Sequence, residues 1–502
     1  MIEKISVMKK NESQLLVDCD SGILMELNEY FSFFVDGYKY MPLYRNKVWD
    51  GKIRIFNGMT QELPAGLLHQ LKSFSKQRGY ELDYEDSEYG SPEQYNQIDP
   101  DTVMKFIETL DLRSKGNPIK IRDYQFDAIC TAIKNKRSIL LSPTGSGKSL
   151  VIYVLLRWYM KNNDNNVLVI VPTTSLVQQM FADFSDYSTH DNSFAVEKEC
   201  HVIYSGKAKH DIKERIIVST WQSIYKLPPS WFSNFGVVFG DECHGFKSKS
   251  LTSIMNKCVN TAYRYGTTGT LDGTQTHKLV LEGLFGKVRK VTTTKKLQDD
   301  DTLAPLNIFM LTLEYSEQEK MENVGKTYAQ EINWIVLNEA RNNFIRNLAI
   351  DMKGNTLVLF QFVEKHGKVL HDIISDKAEE NRKVFYVSGQ TEATDREAIR
   401  KIVETQKDSI IVASLGTFST GINIKNLHNI IFASPSKSQI RVLQSIGRTL
   451  RKSDDDRVSK LYDLVDDLKH KSKDNYALLH GEERLKIYKK EKFDFKEYRI
   501  KL

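Results

Sequence analysis

The chain has 502 residues, room for three or four domains at about 150 residues each. Hydrophobic residues make up 40% and charged residues 27%, ordinary globular usage that excludes a disordered or fibrous protein. The net charge of +6 is unevenly spread: residues 1–100 carry 11 Lys/Arg against 16 Asp/Glu, a net of −5, which leaves +11 for residues 101–502. If a polyanion binds, the later part supplies most of the attraction.

The longest apolar runs, such as residues 167–171, fall far short of the ~20 residues that span a bilayer. The opening MIEKISVMKKNESQLL lacks the apolar stretch of a signal peptide. Five scattered cysteines (Cys19, Cys130, Cys200, Cys243, Cys258) without a CxxC pair read as free thiols in a reducing compartment. A cytoplasmic chain without a membrane partner is expected.

Along the chain, residues 1–85 read as a small α+β unit, with alternating stretches followed by a helical pattern ending at Gly79. Within it Tyr44, Arg45, Lys47, Trp49, Lys52, Arg54 and Phe56 interleave aromatic and basic side chains. That composition suits base stacking and phosphate contact, and equally an ordinary strand pair with its aromatics inward. Residues 86–112 have acidic, Gly- and Pro-punctuated linker composition that gives way to a helix. From residue 137 short apolar runs (SILLS, VLVIVP, RIIVST, VVFGDE, then TLVLFQF, KVFYVSG, SIIVAS, NIIFASP) alternate with helical patterns, the signature of parallel sheets covered on both faces. A charged, mostly helical stretch near residues 290–350 separates two α/β domains, 113–300 and 301–450. Residues 451–502 read as a basic helical extension, either a surface helix or a DNA-facing segment. No short-period repeat is visible.

The strongest local signal is Ser142-Pro-Thr144-Gly145-Ser146-Gly147-Lys148-Ser149, between a strand and a helix. Such a loop wraps backbone N–H groups around a phosphate at the positive end of a helix, with Lys148 on the outer phosphates and the Ser149 hydroxyl on Mg²⁺. The general pattern begins with Gly where Ser142 stands. About ninety residues on, Asp241-Glu242-Cys243-His244 ends an apolar strand. There Asp241 would hold the hydrated Mg²⁺ and Glu242 would polarise the attacking water.

With these two segments the chain resembles superfamily 2 helicases of the DExH type, over residues 118–455. The resemblance implies two RecA-like parallel-sheet domains in tandem, ATP and Mg as cofactors, and further roles at matching motifs. Gln125, in Arg122-Asp-Tyr-Gln, would read the adenine. Pro172 and Thr173, and Thr220 and Gln222, would hold nucleic-acid phosphates, as would Gln361, Phe362, Ser388, Gly389, Thr417 and Gly421 in the second domain. Thr267-Thr268-Gly269-Thr270 would couple hydrolysis to strand movement. Gln444, Arg448 and Arg451 match the arginine-finger motif. Asn423 stands where the family often has Asp on the ribose, which bears on nucleotide selectivity. Because Lys148 and Arg448 are 300 residues apart, they can meet only if two domains close over one ATP. The small N-terminal unit before a compact core resembles the architecture of a phage recombination helicase. That implies 3′→5′ unwinding and branch migration of forks, Holliday junctions and R-loops by a monomer, beside recombination or single-strand-binding proteins. A duplex translocase that separates no strands, and an ATP-switched clamp, share the motifs. The presence of both Glu242 and the arginine pair argues against the clamp.

Overall fold

The computed structural model describes residues 3–502 apart from 36, 86–97, 205, 207, 272–273, 301, 422–426, 435–446 and 448–457. Two units emerge from the chain, residues 1–142 with 147–291 and residues 292–502 with 143–146.

Alternation in β1 (Lys4–Lys9) and β2 (Gln14–Cys19) turns Ile5, Val7, Leu15 and Val17 inward, and the two strands pair antiparallel. Helix α1 (Ser21–Tyr30) leads to a two-stranded ribbon of β3 (Ser32–Phe34) and β4 (Lys52–Arg54). Then β5 (Glu62–Pro64), α2 (Leu68–Arg78) and β6 (Glu81–Asp83) complete a sheet of order β5-β2-β1-β6. The aromatic–basic run divides: Phe56 is core, while Arg45, Lys47 and Arg54 are exposed and Lys52 lies over the Phe34 ring.

After a two-residue hairpin, Arg113–Ser114 with Asn117–Pro118, come β7 (Arg137–Leu141), β8 (Asn166–Val171), β9 (Cys200–Ile203), β10 (Ile216–Thr220), β11 (Phe235–Asp241), β12 (Tyr263–Thr268) and β13 (Val288–Lys290). They form one parallel sheet of order β9-β10-β8-β11-β12-β7-β13. Its central strands are apolar on both faces, as helices α3 (Asp123–Asn135), α4 (Lys148–Asn162), α5 (Thr174–Tyr187) and α6 (Gln275–Phe285) require. The segment 86–112, which reads as a linker, includes a helix at Pro100–Thr109 whose Val103, Phe106 and Ile107 are buried in this core.

The small N-terminal sheet is fastened to this unit. Leu279 of α6 belongs to its apolar core, and a Cβ at Gly66 would lie 2.0 Å from the Glu282 carbonyl oxygen, so only glycine allows that approach. Arg264 of β12 is 1% exposed and donates to Ser13 Oγ at 2.8 Å and Met255 O at 3.1 Å.

The second sheet contains β14 (Leu306–Glu314), β15 (Thr356–Phe360), β16 (Val384–Val387), β17 (Ile410–Ser414), β18 (Asn429–Phe432), β19 (Ser459–Asp467) and β20 (Asp494–Lys501). All run parallel, in the order β16-β17-β15-β18-β19-β14-β20. Ranked by chain order, both seven-stranded sheets read 3-4-2-5-6-1-7. Among the helices of this unit, α7 (Glu317–Asn323) follows the first strand, α8 (Glu339–Asp351) the charged stretch, and α9 (Tyr476–Glu491) lies in the C-terminal region. That region is therefore helical in part, and its flanking strands β19 and β20 pair on either side of β14. Asp463 and Asp466 of β19 are wholly buried, held by Arg484 of α9 at 2.7 Å and Arg341 of α8 at 2.6 Å.

Candidate functional site

Strand β7 ends at Leu141 and α4 begins at Lys148, so residues 142–147 make the turn that carries the phosphate-loop motif. Ser142 N donates to Thr268 O at 2.9 Å, tying the start of the loop to β12, and Ser146 Oγ donates to Pro143 O at 2.7 Å. Gly147 has φ of 80°, and a Cβ there would meet Gln125 Nε2 at 2.4 Å. Glycine is thus required twice over, by conformation and by space. Gln125 itself is 3% exposed; its Oε1 accepts from Arg122 N at 3.0 Å, closing the first turn of α3 beneath the loop.

Lys148 Nζ lies 3.4 Å from Ser142 O and 3.6 Å from Glu242 Oε1. Asp241 is the buried last residue of β11, two strands from β7, and accepts from Thr267 Oγ1 of the intervening β12 at 2.7 Å. Burial, then the neighbouring Glu242 charge, push the Asp241 carboxyl up from its ordinary range, against Lys148 and the Thr267 hydrogen bond. Glu242 has φ of 48°, a left-handed conformation that costs a non-glycine residue roughly 1–3 kcal/mol. Such strain recurs at functional turns. His244 Nδ1 stands 3.4 Å from Glu242 Oε2 and 3.0 Å from Thr268 Oγ1, and His277 Nε2–H donates to the His244 carbonyl at 2.8 Å. Asp241 is thereby hydrogen-bonded to Thr267 and His244 to Thr268, with the Glu242 carboxylate at ion-pair distance from His244 and Lys148.

The other expected residues of the first unit also sit at carboxyl ends of strands. Pro172 and Thr173 follow β8, and Thr173 Oγ1 caps α5 by accepting from Leu176 N at 3.3 Å. Thr220 ends the adjacent β10 and bonds Ser223 Oγ at 2.9 Å, while exposed Gln222 reaches Pro172 O at 3.5 Å, joining the two loops. In the second unit Gln361 and Phe362 follow β15 and are exposed, with Gln361 N donating to Ser434 Oγ at 3.2 Å. Ser388 follows β16 with its N–H on Thr391 Oγ1 at 3.0 Å, and a Cβ on Gly389 would lie 4.0 Å from Thr417 Oγ1. Thr417 lies in the helix Leu415–Gly421, its Oγ1 accepting from Ser414 Oγ at 2.7 Å, and Gly421 ends that helix. Gln444, Arg448, Arg451 and Asn423 lie outside the described residues.

One partner escapes sequence reading. Tyr187, the last residue of α5, places its hydroxyl 2.9 Å from Ser149 Oγ and packs against Tyr153, 5.7 Å between ring centroids. A tyrosine 38 positions from the motif, ending an ordinary amphipathic helix, carries no local signal. Among the described residues no group of three or more His, Cys, Asp or Glu could hold a metal. No described helix is long and apolar enough to cross a membrane.

Residues 118–273 match the family model of the res subunit of type III restriction enzymes, and residues 340–453 that of the helicase conserved C-terminal domain. Two tandem parallel sheets and these matches define an ATP-dependent helicase of superfamily 2. Residues 4–85 match the N-terminal domain of the DNA helicase UvsW. The ATP-dependent DNA helicase uvsW of Enterobacteria phage T4 is 36% identical over 496 residues, 96% of this chain and 97% of that protein. The crystal structure of T4 UvsW covers 99% of both chains at 34% identity with a TM-score of 0.52. The DNA 3'-5' translocase XPB2 of Sulfurisphaera tokodaii is 25% identical over 391 residues, 69% of this chain and 82% of that protein. The chain belongs to the UvsW family of ATP-dependent DNA helicases.

Proposed function

We propose that this helicase uses ATP hydrolysis to move 3′→5′ and to remodel branched DNA, including forks, four-way junctions and RNA–DNA hybrids. The single observation that carries the motor reading is the cluster at the ends of β11 and β12: Asp241 and His244 hydrogen-bonded to Thr267 and Thr268, and Glu242 at ion-pair distance from His244 and Lys148. A change at the outer phosphate felt by Glu242 is passed through His244 to β12, whose end also holds the loop at Ser142. DNA as substrate is supported by likeness to the T4 DNA helicase, 3′→5′ polarity by likeness to the archaeal 3'-5' translocase, and the branched forms by resemblance of motifs and architecture alone.

In this reading the N–H groups of Thr144, Gly145, Ser146 and Gly147 cradle the phosphates, Lys148 neutralises the outer ones, and Gln125 recognises the adenine. Ser149 hydroxyl and Asp241 carboxylate are hard oxygen donors, and one or two such groups with substrate phosphates are what Mg²⁺ takes from a protein. Asp241, raised by burial and then by its neighbour's charge, suits a cation partner. Bound there, the ion would supply positive charge against the phosphates. Glu242 orients the attacking water, and Tyr187 holds the Ser149 hydroxyl in place. Gln444, Arg448 and Arg451 act on the developing γ-phosphate charge and Asn423 on the ribose, assignments carried by motif resemblance. The loops of Pro172, Thr173, Thr220 and Gln222, and of Gln361, Phe362, Ser388, Gly389, Thr417 and Gly421, hold strand phosphates through hydroxyls and backbone N–H groups without reading sequence. A soluble monomer in the host cytoplasm, working beside recombination or single-strand-binding proteins, fits this activity.

A second reading is favoured by the match to restriction-enzyme motors and to a translocase: movement on duplex without strand separation. ATPase rate and strand separation, measured side by side on single-stranded, forked, four-way and RNA–DNA substrates, test both. Unwinding of forks and hybrids is expected. Hydrolysis stimulated by duplex without any unwinding establishes the translocase.

A further inference from the structure

Where the N-terminal unit meets the first parallel sheet there is a cavity of about 200 Å³. Six cationic side chains line it: Lys9, Lys72 and, from β7, β13 and the residues just before them, Lys136, Arg137, Lys287 and Arg289. His69, paired with Glu282, joins them, and the one carboxylate of the lining is Glu12. That carboxylate is occupied. It pairs with Lys9 and with Arg137 Nη2 at 2.6 Å, and both hold it below its ordinary pKa despite burial. Burial, with Lys9 and Arg137 adding to it, pushes the Lys136 ammonium down.

Two buried donors of this lining have no acceptor among the described residues: Arg137 Nη1 and Arg289 Nε. Arg289 spends Nη2 on Asn135 Oδ1 at 3.2 Å, which leaves its Nε without a partner there. Buried guanidinium N–H groups are rarely left unpaired, and an orphan in a native protein points to an ion or water not otherwise accounted for. The lining carries more cationic than anionic side chains, which favours entry of an anion.

Size and place narrow the anion. At about 30 Å³ per water the cavity takes the volume of roughly six or seven waters. It is smaller than the ~300 Å³ at which ligand pockets usually begin, so a phosphate group fits and a whole nucleotide does not. The cavity also lies at the amino end of β7, beside Arg137, whereas the nucleotide loop follows its carboxyl end at Leu141. Five residues of strand, about 16 Å at 3.3 Å per residue, separate them.

We propose that this junction is a second nucleic-acid contact, a phosphate-binding site that takes a backbone phosphodiester of duplex DNA at the end of the sheet away from ATP. The inference rests on the helicase reading and adds a place where duplex is held apart from the strand-end loops. A site that bridges the N-terminal unit and the first sheet gives the small unit a function that neither part has alone.

The test uses the full chain, with duplex DNA binding measured by fluorescence anisotropy over a salt series. Wild type is compared with Lys287→Ala, whose side chain is exposed and tolerates truncation, and with Arg289→Gln, checked for its thermal melt. Each variant should weaken duplex binding several-fold. It should also flatten the slope of log K against log salt by about 0.9, the loss of one phosphate contact. Lys198→Ala, an exposed lysine outside the cavity, should change neither. Inorganic phosphate is the second probe: a thermal upshift of the wild type that disappears in the variants, with duplex affinity and slope unchanged, makes this a free-anion site and overturns the DNA assignment. Unchanged duplex binding and no phosphate effect overturn the site altogether. If the wild type shows no DNA-stimulated ATP hydrolysis, the helicase reading fails instead, a result distinct from either.

Discussion

The two seven-stranded sheets have the same strand order, yet the segments after their first strands are chemically opposite. After β7 comes a turn with Gly145 and Gly147, both at positive φ, and Lys148 as the first helical residue of α4. After β14 comes Ser316, whose Oγ accepts from Glu319 N at 3.3 Å while Glu319 Oε2 accepts from Ser316 N at 3.0 Å. That reciprocal box satisfies the helix start from within and sets Glu317 and Glu319 where a phosphate would otherwise sit. The fifth strands differ likewise: β11 ends in Asp241-Glu242, and β18 runs on to Ala433 and Ser434. One topology therefore serves two purposes. A nucleotide site is a property of two loops, and the sheet only presents them.

The sixth strands show a different kind of divergence. Both carry buried charge, and in both that charge attaches a flanking segment. In β12 it is Arg264, caged by carbonyl oxygens and by Ser13 of the N-terminal unit; burial, then the nearby Arg137, lower its pKa to about 9. In β19 it is Asp463 and Asp466, neutralised by arginines of α9 and α8, with Tyr488 and Tyr315 hydroxyls donating to them at 2.9 and 2.8 Å.

The largest expected effect breaks the symmetry of the first strands outright. Lys148→Ala should reduce ATP hydrolysis to background while DNA binding persists, because the strand-end loops are untouched. Its mirror, Ser316→Ala, should cost about 1 kcal/mol of stability as a lost cap and leave turnover in place. Turnover surviving in Lys148→Ala would remove the nucleotide site from the first sheet. Next, Arg484→Met leaves Asp463 buried without its partner, a loss of about 3–5 kcal/mol that a urea titration should read directly. A wild-type unfolding midpoint would show that α9 is not held to β19 by this pair.

Smaller effects sharpen the contrast between the fifth strands. Glu242→Gln keeps shape and removes charge, so ATP affinity should stay within a few-fold while turnover falls by about 10². Unchanged turnover would relocate the water-orienting group. The mildest change is Tyr187→Phe. It removes one hydrogen bond to Ser149, so the Mg²⁺ concentration at half-maximal hydrolysis should rise about two- to ten-fold, with kcat little altered. A drop in kcat at saturating Mg²⁺ would instead make Tyr187 part of the chemistry.

Local patterns were enough for the apolar runs of β7, β8, β10, β11, β15, β16, β17 and β18, because a strand covered on both faces must be hydrophobic along its length. They also placed the glycine turn of residues 142–147 and the Asp241-Glu242 pair at carboxyl ends of strands, where the structure has them, because such segments carry particular residue types at close spacing. Three features were legible only in the folded chain. Strand β19, SKLYDLVDD, reads as polar because its aspartates are neutralised by arginines 21 and 125 residues away in sequence. Strand β20 reads as a basic helix because, at the edge of the sheet, it carries charges that discourage pairing with another chain. The Tyr187–Ser149 bond and the cationic cavity bring together segments with no common pattern. Local sequence determined which stretches must be buried and which turn carries the glycine-rich motif, since both depend on near neighbours. Tertiary structure decided where charge could be buried and which distant side chains meet, because desolvation is offset only by a partner that folding brings within reach.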